Sequence, residues 1–434
     1  MNDREVVVTG VGLVTPLGTG VEQNWEKLKK RATGISPQRQ DAVPNWLAYC
    51  GKVSDFELPS VPGSNAAQFK FLNRGARLGF AAAHQAMEQT LAGAQSVPVG
   101  RRALYVASGD FSKIGYEFFY PATREEATGK TRVRDWAQFN QNALTQVTPF
   151  FLLESIANNL FSFLSACYDF KGANTSLASL SPYGSQALDL AYRAIQSGAA
   201  DVALAVGYGN WIDEIPVCEL EGLGLLSRCD RAAESFRPFD RLRDGFIPAE
   251  GGAAVFLEAE ELAKQRGRMV LAKIRGSGNC IEFSDGGGFS VPPRVTERSM
   301  RMALAASRCE VEELGFIIGH GSGTLKGDRS ELRSLQALTA STTARIPVCA
   351  LKAYTGHMGA ASDITEIVLG IQAARDGMAP ATLNFAEAEK EFSRLALAAT
   401  HQPCTGDCFL SVSYGLGGQS SAVVVSVDRS FLAR

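Results

Sequence analysis

The chain has 434 residues, well above the roughly 250–300 at which one core stops growing, so two cores or two fused halves are expected. Apolar residues make up 45% and charged residues 20%, which excludes a disordered chain or a fibre. Forty-three basic residues against forty-five acidic ones leave a net charge of −2. That balance gives no electrostatic case for nucleic acid or a membrane surface.

Residues 5–10 read as a buried strand ending in glycine, and 21–28 as an amphipathic helix. Residues 74–92 have the alanine-rich make-up of a packed helix, and 103–108 form a strand. From 111 to 150 the chain is aromatic and charged without clear period, an excursion between core elements. A short strand at 175–179 then leads through a sharp turn at 180–184 into a helix over about 185–197. Strands at 201–207 and 253–258 and a helix at 259–267 follow. The second half has strands at 269–277, 316–320, 346–350, 407–413 and 421–427, with helices near 296–309, 328–340 and 361–377. Strands alternating with helices point to an α/β fold, and the repeated strand–turn–helix suggests a duplicated unit. No basic-then-apolar leader opens the chain, and no apolar run nears the roughly 18 residues of a membrane span. A cytoplasmic protein is expected. Nine cysteines are scattered, and the close pair Cys404 and Cys408 has no second pair or histidine cluster. Reduced, buried thiols are expected there rather than a metal site.

Two of the four histidines share one setting. His320 lies in Gly319-His-Gly-Ser-Gly-Thr324 after an apolar strand, and His357 in Gly356-His-Met-Gly359 before a helix. Glycine offers a histidine no side-chain neighbours and leaves room for a ligand; the plainer reading is two loop histidines with structural hydrogen bonds. His84 and His401 lack that context and read as structural. Ser181 sits at a strand-to-helix turn, either as a helix cap or as a nucleophile beside a positive helix end. The segment Ser413-Tyr-Gly-Leu-Gly-Gly-Gln419 is either a tight turn or a donor of backbone N–H to an oxyanion.

Five segments stand in order: Val6-Val-Val-Thr-Gly-Val-Gly-Leu-Val-Thr-Pro16, Pro238-Phe-Asp-Arg-Leu-Arg-Asp-Gly-Phe246 with Glu250-Gly251, the His320 loop through Asp328, residues 352–361, and 413–419. Together they resemble the signature of the elongating β-ketoacyl synthases, the condensing enzymes of fatty-acid and type II polyketide assembly. The match runs from about residue 5 to 427. The resemblance implies a duplicated thiolase-like fold in five layers, α-β-α-β-α. One half, 1–257, would carry the elbow and the 111–150 excursion; the other, 258–434, both site histidines. It also implies a homodimer, or a heterodimer with a second ketosynthase-like subunit. The substrates would be acyl groups on the phosphopantetheine arm of an acyl-carrier protein, with no bound cofactor and no metal.

On matching positions, His320 and His357 resemble the pair that holds a malonyl thioester carbonyl and stabilises the enolate formed on decarboxylation. Lys352 resembles the nearby lysine, with Glu331 as its buried partner. Ser322 and Thr324 match the two hydroxyl residues that bind the pantetheine arm, serine replacing the more usual threonine. Leu416, between Gly415 and Gly417, falls at the gating position. Its N–H would form an oxyanion hole with that of residue 181. Ser181, His320 and His357 are therefore expected in one pocket, any two within about 10 Å.

One departure stands out: Ser181 occupies the position of the nucleophilic cysteine. A thiol with reference pKa ~8.5 becomes a useful thiolate with little more than a helix N-terminus, whereas a serine needs an adjacent base. An acyl-serine is also an oxyester, a poorer electrophile than a thioester. Three readings follow. The chain is an acyltransferase or condensing enzyme using Ser181, or a subunit like the chain-length factors that pairs with an active synthase and shapes its tunnel, or a synthase whose cysteine was changed by design. Both histidines and Lys352 favour catalysis. Bulky Phe161 and Phe163, and Leu180, Pro182 and Tyr183 at the elbow, favour the partner role.

Overall fold

The computed structural model describes residues 4–38, 44–54, 56–60, 68–90, 96–110, 115–124, 135–178, 182–284, 291–404 and 406–428. Its strands follow a period of two, each face feeding a different core. Val202, Leu204 and Val206 enter one cluster, while Ala203 and Ala205 enter another. Leu104 and Val106 separate from Ala103 and Tyr105 in the same way.

Two topologically equal halves result. In the first, the main strands are Val6–Thr15, Arg102–Ser108, Asn174–Ala178, Val202–Asn210 and Glu250–Ala259; in the second, Ala272–Ile281, Leu314–Ile318, Pro347–Cys349, Cys408–Tyr414 and Gln419–Ser426. Counted along the chain, each set of five lies in the order 3-2-4-5-1. The second strand is parallel to the third and fourth, and the remaining pairs are antiparallel. The halves join where Val6–Thr15 pairs with Ala272–Ile281, Val6 opposite Ile274. The division expected between 257 and 258 falls inside the strand Glu250–Ala259; the second repeat begins at Ala272, after the helix Glu260–Gln265.

Helices complete five layers. Tyr183–Gln196 and Ala360–Arg375 pack on each other, and each touches strands of both halves. Arg74–Glu88 covers the outer face of the first half, and Glu297–Ser307 with Leu325–Leu338 that of the second. The first strand does not stop at Gly10 as expected but runs to Thr15. Gly12 serves helix approach instead: a Cβ there would lie 1.9 Å from the carbonyl oxygen of Ala82.

The excursion is also more regular than its sequence suggested. Residues 111–114 and 125–134 lie outside the described residues, but Tyr120–Thr123 and Trp136–Gln146 are helical, followed by Phe151–Ser155 and Asn159–Tyr168. Trp136–Gln146 has no fully buried residue, and its apolar face is only Phe139 and Ala143 against a small local cluster, too narrow a stripe for a period to reveal. Phe163 stacks edge-on to Phe69 and Phe80 in the outer core, with Phe161 packed against that cluster. Neither lines the cavity described below. Among the described residues no helix is long and apolar enough to cross a membrane.

Candidate active site

His320 follows the strand Leu314–Ile318 by two residues, and its backbone is held on both sides. Its N–H donates to Glu331 Oε1 at 2.6 Å, and that of Gly321 to Oε2 at 2.9 Å. Its carbonyl oxygen accepts from Lys352 Nζ at 2.8 Å. His357 lies between the short helix Lys352–Thr355 and Ala360–Arg375. Its N–H donates to the Ile247 carbonyl and its own carbonyl accepts from Ala249 N–H, both at 2.9 Å. The turn presses so closely on the neighbouring strand that a Cβ on Gly207 would sit 2.4 Å from the Ala360 carbonyl oxygen. Glycine alone fits there.

The two imidazoles meet edge to face, ring centres 5.3 Å apart. Each has an aromatic neighbour from the end of the fourth strand of a half. Trp211 stacks on His357 at 4.6 Å, and Tyr414 lies against His320 at 4.4 Å. The Trp211 indole is fixed by donating to the Gly109 carbonyl at 2.6 Å. Both histidines are buried, and their pKa values lie well below the usual 6.5, first through burial and then through the Lys352 charge. They are neutral at pH 7. His357 Nδ1 accepts the Gly359 N–H at 3.2 Å, so its proton resides on Nε2 as a donor.

These groups line a cavity of about 320 Å³ with Leu220, Leu225, Phe246 and Pro292 as apolar wall. Ser322, Thr324, Gly415 and Leu416 line it as well, and Gly417 abuts the Gln419 side chain. Behind it sits a set of buried charges. Lys352 is 1% exposed, as a paired ammonium can be, but its partner is not Glu331. It bonds both oxygens of Glu366, at 2.9 and 3.0 Å. Glu331 is occupied by the two loop N–H groups instead. Burial drives the Glu331 carboxyl up to about 8, with the Asp328 charge adding to the rise and those N–H groups opposing it. Asp328 accepts from Phe239 N–H at 2.8 Å and Gly323 N–H at 2.9 Å, with Arg243 at 3.7 Å.

Ser181 lies outside the described residues. The helix beginning at Tyr183 follows it, and Gly184 N–H donates to the buried Asp363 carboxylate at 3.1 Å. His84 and His401 lie elsewhere: His84 Nδ1 bonds the Tyr168 hydroxyl at 2.7 Å, and His401 Nδ1 accepts from Ala381 N–H at 3.0 Å. Glu366, Trp211 and Tyr414 were missed from the sequence. Glu366 left a signal, one of two carboxylates with Asp363 in a stretch that holds Ile364, Ile367, Val368 and Leu369, and Tyr414 stood inside the 413–419 segment.

Comparison with known proteins gives the family and the fold. The model of the beta-ketoacyl synthase N-terminal domain matches residues 3–263, and that of the C-terminal domain residues 271–386. Relatives include 3-oxoacyl-[acyl-carrier-protein] synthase 2 of Coxiella burnetii, 27% identical over 98% of this chain and 99% of that protein. The mitochondrial 3-oxoacyl-[acyl-carrier-protein] synthase of Arabidopsis thaliana is 28% identical over 97% and 93%. Among solved structures, the ketosynthase of the AntDE:AntF complex, in which a type II acyl-carrier protein is bound to its ketosynthase, has a TM-score of 0.83 at 22% identity, covering 98% of this chain and 100% of that one. The ishigamide ketosynthase/chain length factor reaches 0.82 at 21% identity with the same coverage. The fold is the duplicated thiolase fold.

Proposed function

The chain belongs to the beta-ketoacyl synthase family, and from that premise we propose that it acts on acyl thioesters of an acyl-carrier protein. The observation that carries this reading is the pair of neutral histidines, ring centres 5.3 Å apart, in the wall of one cavity. Two neutral imidazole N–H groups hold a thioester carbonyl. When a malonyl carboxylate leaves as carbon dioxide, its C–C electron pair becomes the enolate. The negative oxygen then rests on the same two donors, in a site that excludes water. Ser322 and Thr324 mark the wall along which the phosphopantetheine arm enters, and Leu416 the mouth.

Ser181 is the proposed nucleophile for acyl transfer. Its hydroxyl oxygen bonds to the thioester carbon, the C–S bond breaks, and the proton passes through a histidine to the leaving thiolate. A histidine serving as that base cannot at the same moment donate to the carbonyl, so transfer is favoured over condensation. The test is intact mass after incubation with acetyl- and malonyl-loaded acyl-carrier protein, with Ser181→Ala as blank. Acylation of the wild type alone, or conversion of malonyl- to acetyl-carrier protein, supports the reading; neither product overturns it.

A second reading has its own observation. The strand Asn174–Ala178 ends the sheet, and Trp136, Leu144 and Leu152 are 78%, 81% and 64% exposed. A chain-length-factor-like subunit would use such surface to pair with an active ketosynthase. Co-purification with a cysteine-bearing synthase, without acylation of this chain, decides for it.

A further inference from the structure

Cys309 and Cys408 are remote in sequence and meet at one end of the second half. Cys309 stands just past the helix Glu297–Ser307, its N–H donating to the Leu304 carbonyl at 3.2 Å. A short turn, closed by the mutual bonds of Glu310 and Glu313, leads on to Leu314, which pairs with Cys408 across their parallel strands. Cys309 is thereby folded back over the start of the strand Cys408–Tyr414. Both residues join one apolar cluster, and the Cys309 thiol donates to the Cys408 sulfur. Cys404, closer in sequence, packs into a different cluster.

Arg275 is the extra residue of a bulge, unpaired where Gly276 and Ile274 face Val424 and Val425, and such a residue is re-aimed off the regular strand. Its charge acts on Cys408. The bond from Cys309, helped by Arg275, holds the Cys408 thiol below its usual range against burial and the Glu313 and Asp407 carboxylates. The same bond, then burial, drives the Cys309 thiol up. Of the two, Cys408 ionises first, and a thiolate is the reactive form. Arg275 and Arg308 also line a cleft of about 450 Å³, and Cys408 is only partly buried, so a small solute has access.

We propose that Cys408 and Cys309 are a modification site for hydroperoxides, in which Cys408, beside Arg275, takes the first oxygen and Cys309 closes a disulfide. The Cys408 thiolate, its proton gone to solvent, attacks one oxygen of hydrogen peroxide. The S–O bond forms, the O–O bond breaks, and the departing hydroxide takes a proton and leaves as water. Cys309 then gives up its proton, its sulfur bonds to that of Cys408, the S–O bond breaks, and hydroxide leaves as a second water. The two thiols are oxidised by two electrons in all, and the peroxide is reduced. Nothing in this step depends on the carrier-protein reading.

The test uses the full chain, reduced, desalted and given one equivalent of hydrogen peroxide. Alkylation after unfolding is expected to label seven of the nine thiols, with one peptide joining Cys309 to Cys408, and a dithiol reductant is expected to restore all nine. Cys309→Ser is expected to stop at a Cys408 sulfenic acid that dimedone traps. Cys408→Ser is expected to slow thiol loss about tenfold or more, and Arg275→Gln about threefold or more. Because the link ties distant points of the chain, the oxidised wild type is expected to melt about 3 °C or more above the reduced form. A disulfide mapped to any other pair, a wild-type sulfenic acid that persists without closing, or a rate unchanged in Cys408→Ser or Arg275→Gln overturns the proposal. The wild-type map decides even where a variant fails to fold.

Discussion

Lys352 and Glu366 form a buried pair, Nζ 2.9 Å from Oε1, each at most 2% exposed. The third bond of the ammonium runs to the carbonyl oxygen of His320. The histidine turn and the central helix are therefore one electrostatic unit, and displacing either partner moves both.

Burial pushes the Glu366 carboxyl up to about 8, while the Lys352 charge and hydrogen bonds pull it down. The two short contacts mark an ion pair, and replacing Glu366 by Gln leaves the ammonium without its counter-charge. Breaking a buried pair from one side costs about 3–5 kcal/mol, so urea unfolding is expected to shift by that amount. Glu331→Gln leaves the pair intact and costs less. The reverse ranking would return Glu331 to the role of partner.

The lowered histidine pKa values set a pH dependence. The unfolded chain binds protons at these positions from about 6.5 downward, whereas the folded chain does so only at lower pH. Their contribution is complete above 6.5 and is lost as pH falls toward the folded values. Melting temperature is expected to drop more steeply from pH 6.5 to 5 in the wild type than in a His320→Asn/His357→Asn variant. Parallel curves would contradict the neutral state.

Restoring the thiol by Ser181→Cys is expected to raise malonyl-dependent ketoacyl product per enzyme above wild type, with Ser181→Ala as the blank. A cysteine variant that acylates but forms no ketoacyl product has a site built for something other than condensation. One that does not acylate favours the partner-subunit reading.

Gly207→Ala drives a methyl into the Ala360 carbonyl. Overpacking of this kind costs about 1–3 kcal/mol. Because the displaced backbone carries His357, decarboxylation of malonyl-carrier protein is expected to fall by more than the loss of folded protein explains. Activity per folded molecule, corrected by circular dichroism, is the measurement.

His320 and His357 were legible because each is a polar residue walled by glycine at the end of a periodic element. The duplicated α/β order was legible for the same reason: strands read as period two, helices as 3.6. The ion pair was not. Glu331 follows His320 and Glu366 follows His357 in sequence, and only the packing of the Ala360–Arg375 helix against both halves brings Glu366 to Lys352. Trp211 and Tyr414 were hidden because each stands at the end of a strand remote in sequence from the histidine it covers. The helix Trp136–Gln146 was hidden because only Phe139 and Ala143 of it pack inward.

The shared central layer also dictates how this chain emerges from the ribosome. The inner face of the first half is only partly covered by its own helix Tyr183–Gln196; Ala360–Arg375, with Ile364, Ile367 and Val368, packs on the strands Val202–Asn210 and Glu250–Ala259 to complete it. Roughly a hundred residues separate the last strand of that half from its cover, so at ~5–20 residues per second the face stays open for on the order of ten seconds. The first half thus waits with part of its inner face uncovered. A chain truncated before residue 360 is left with a sticky inner face and aggregates.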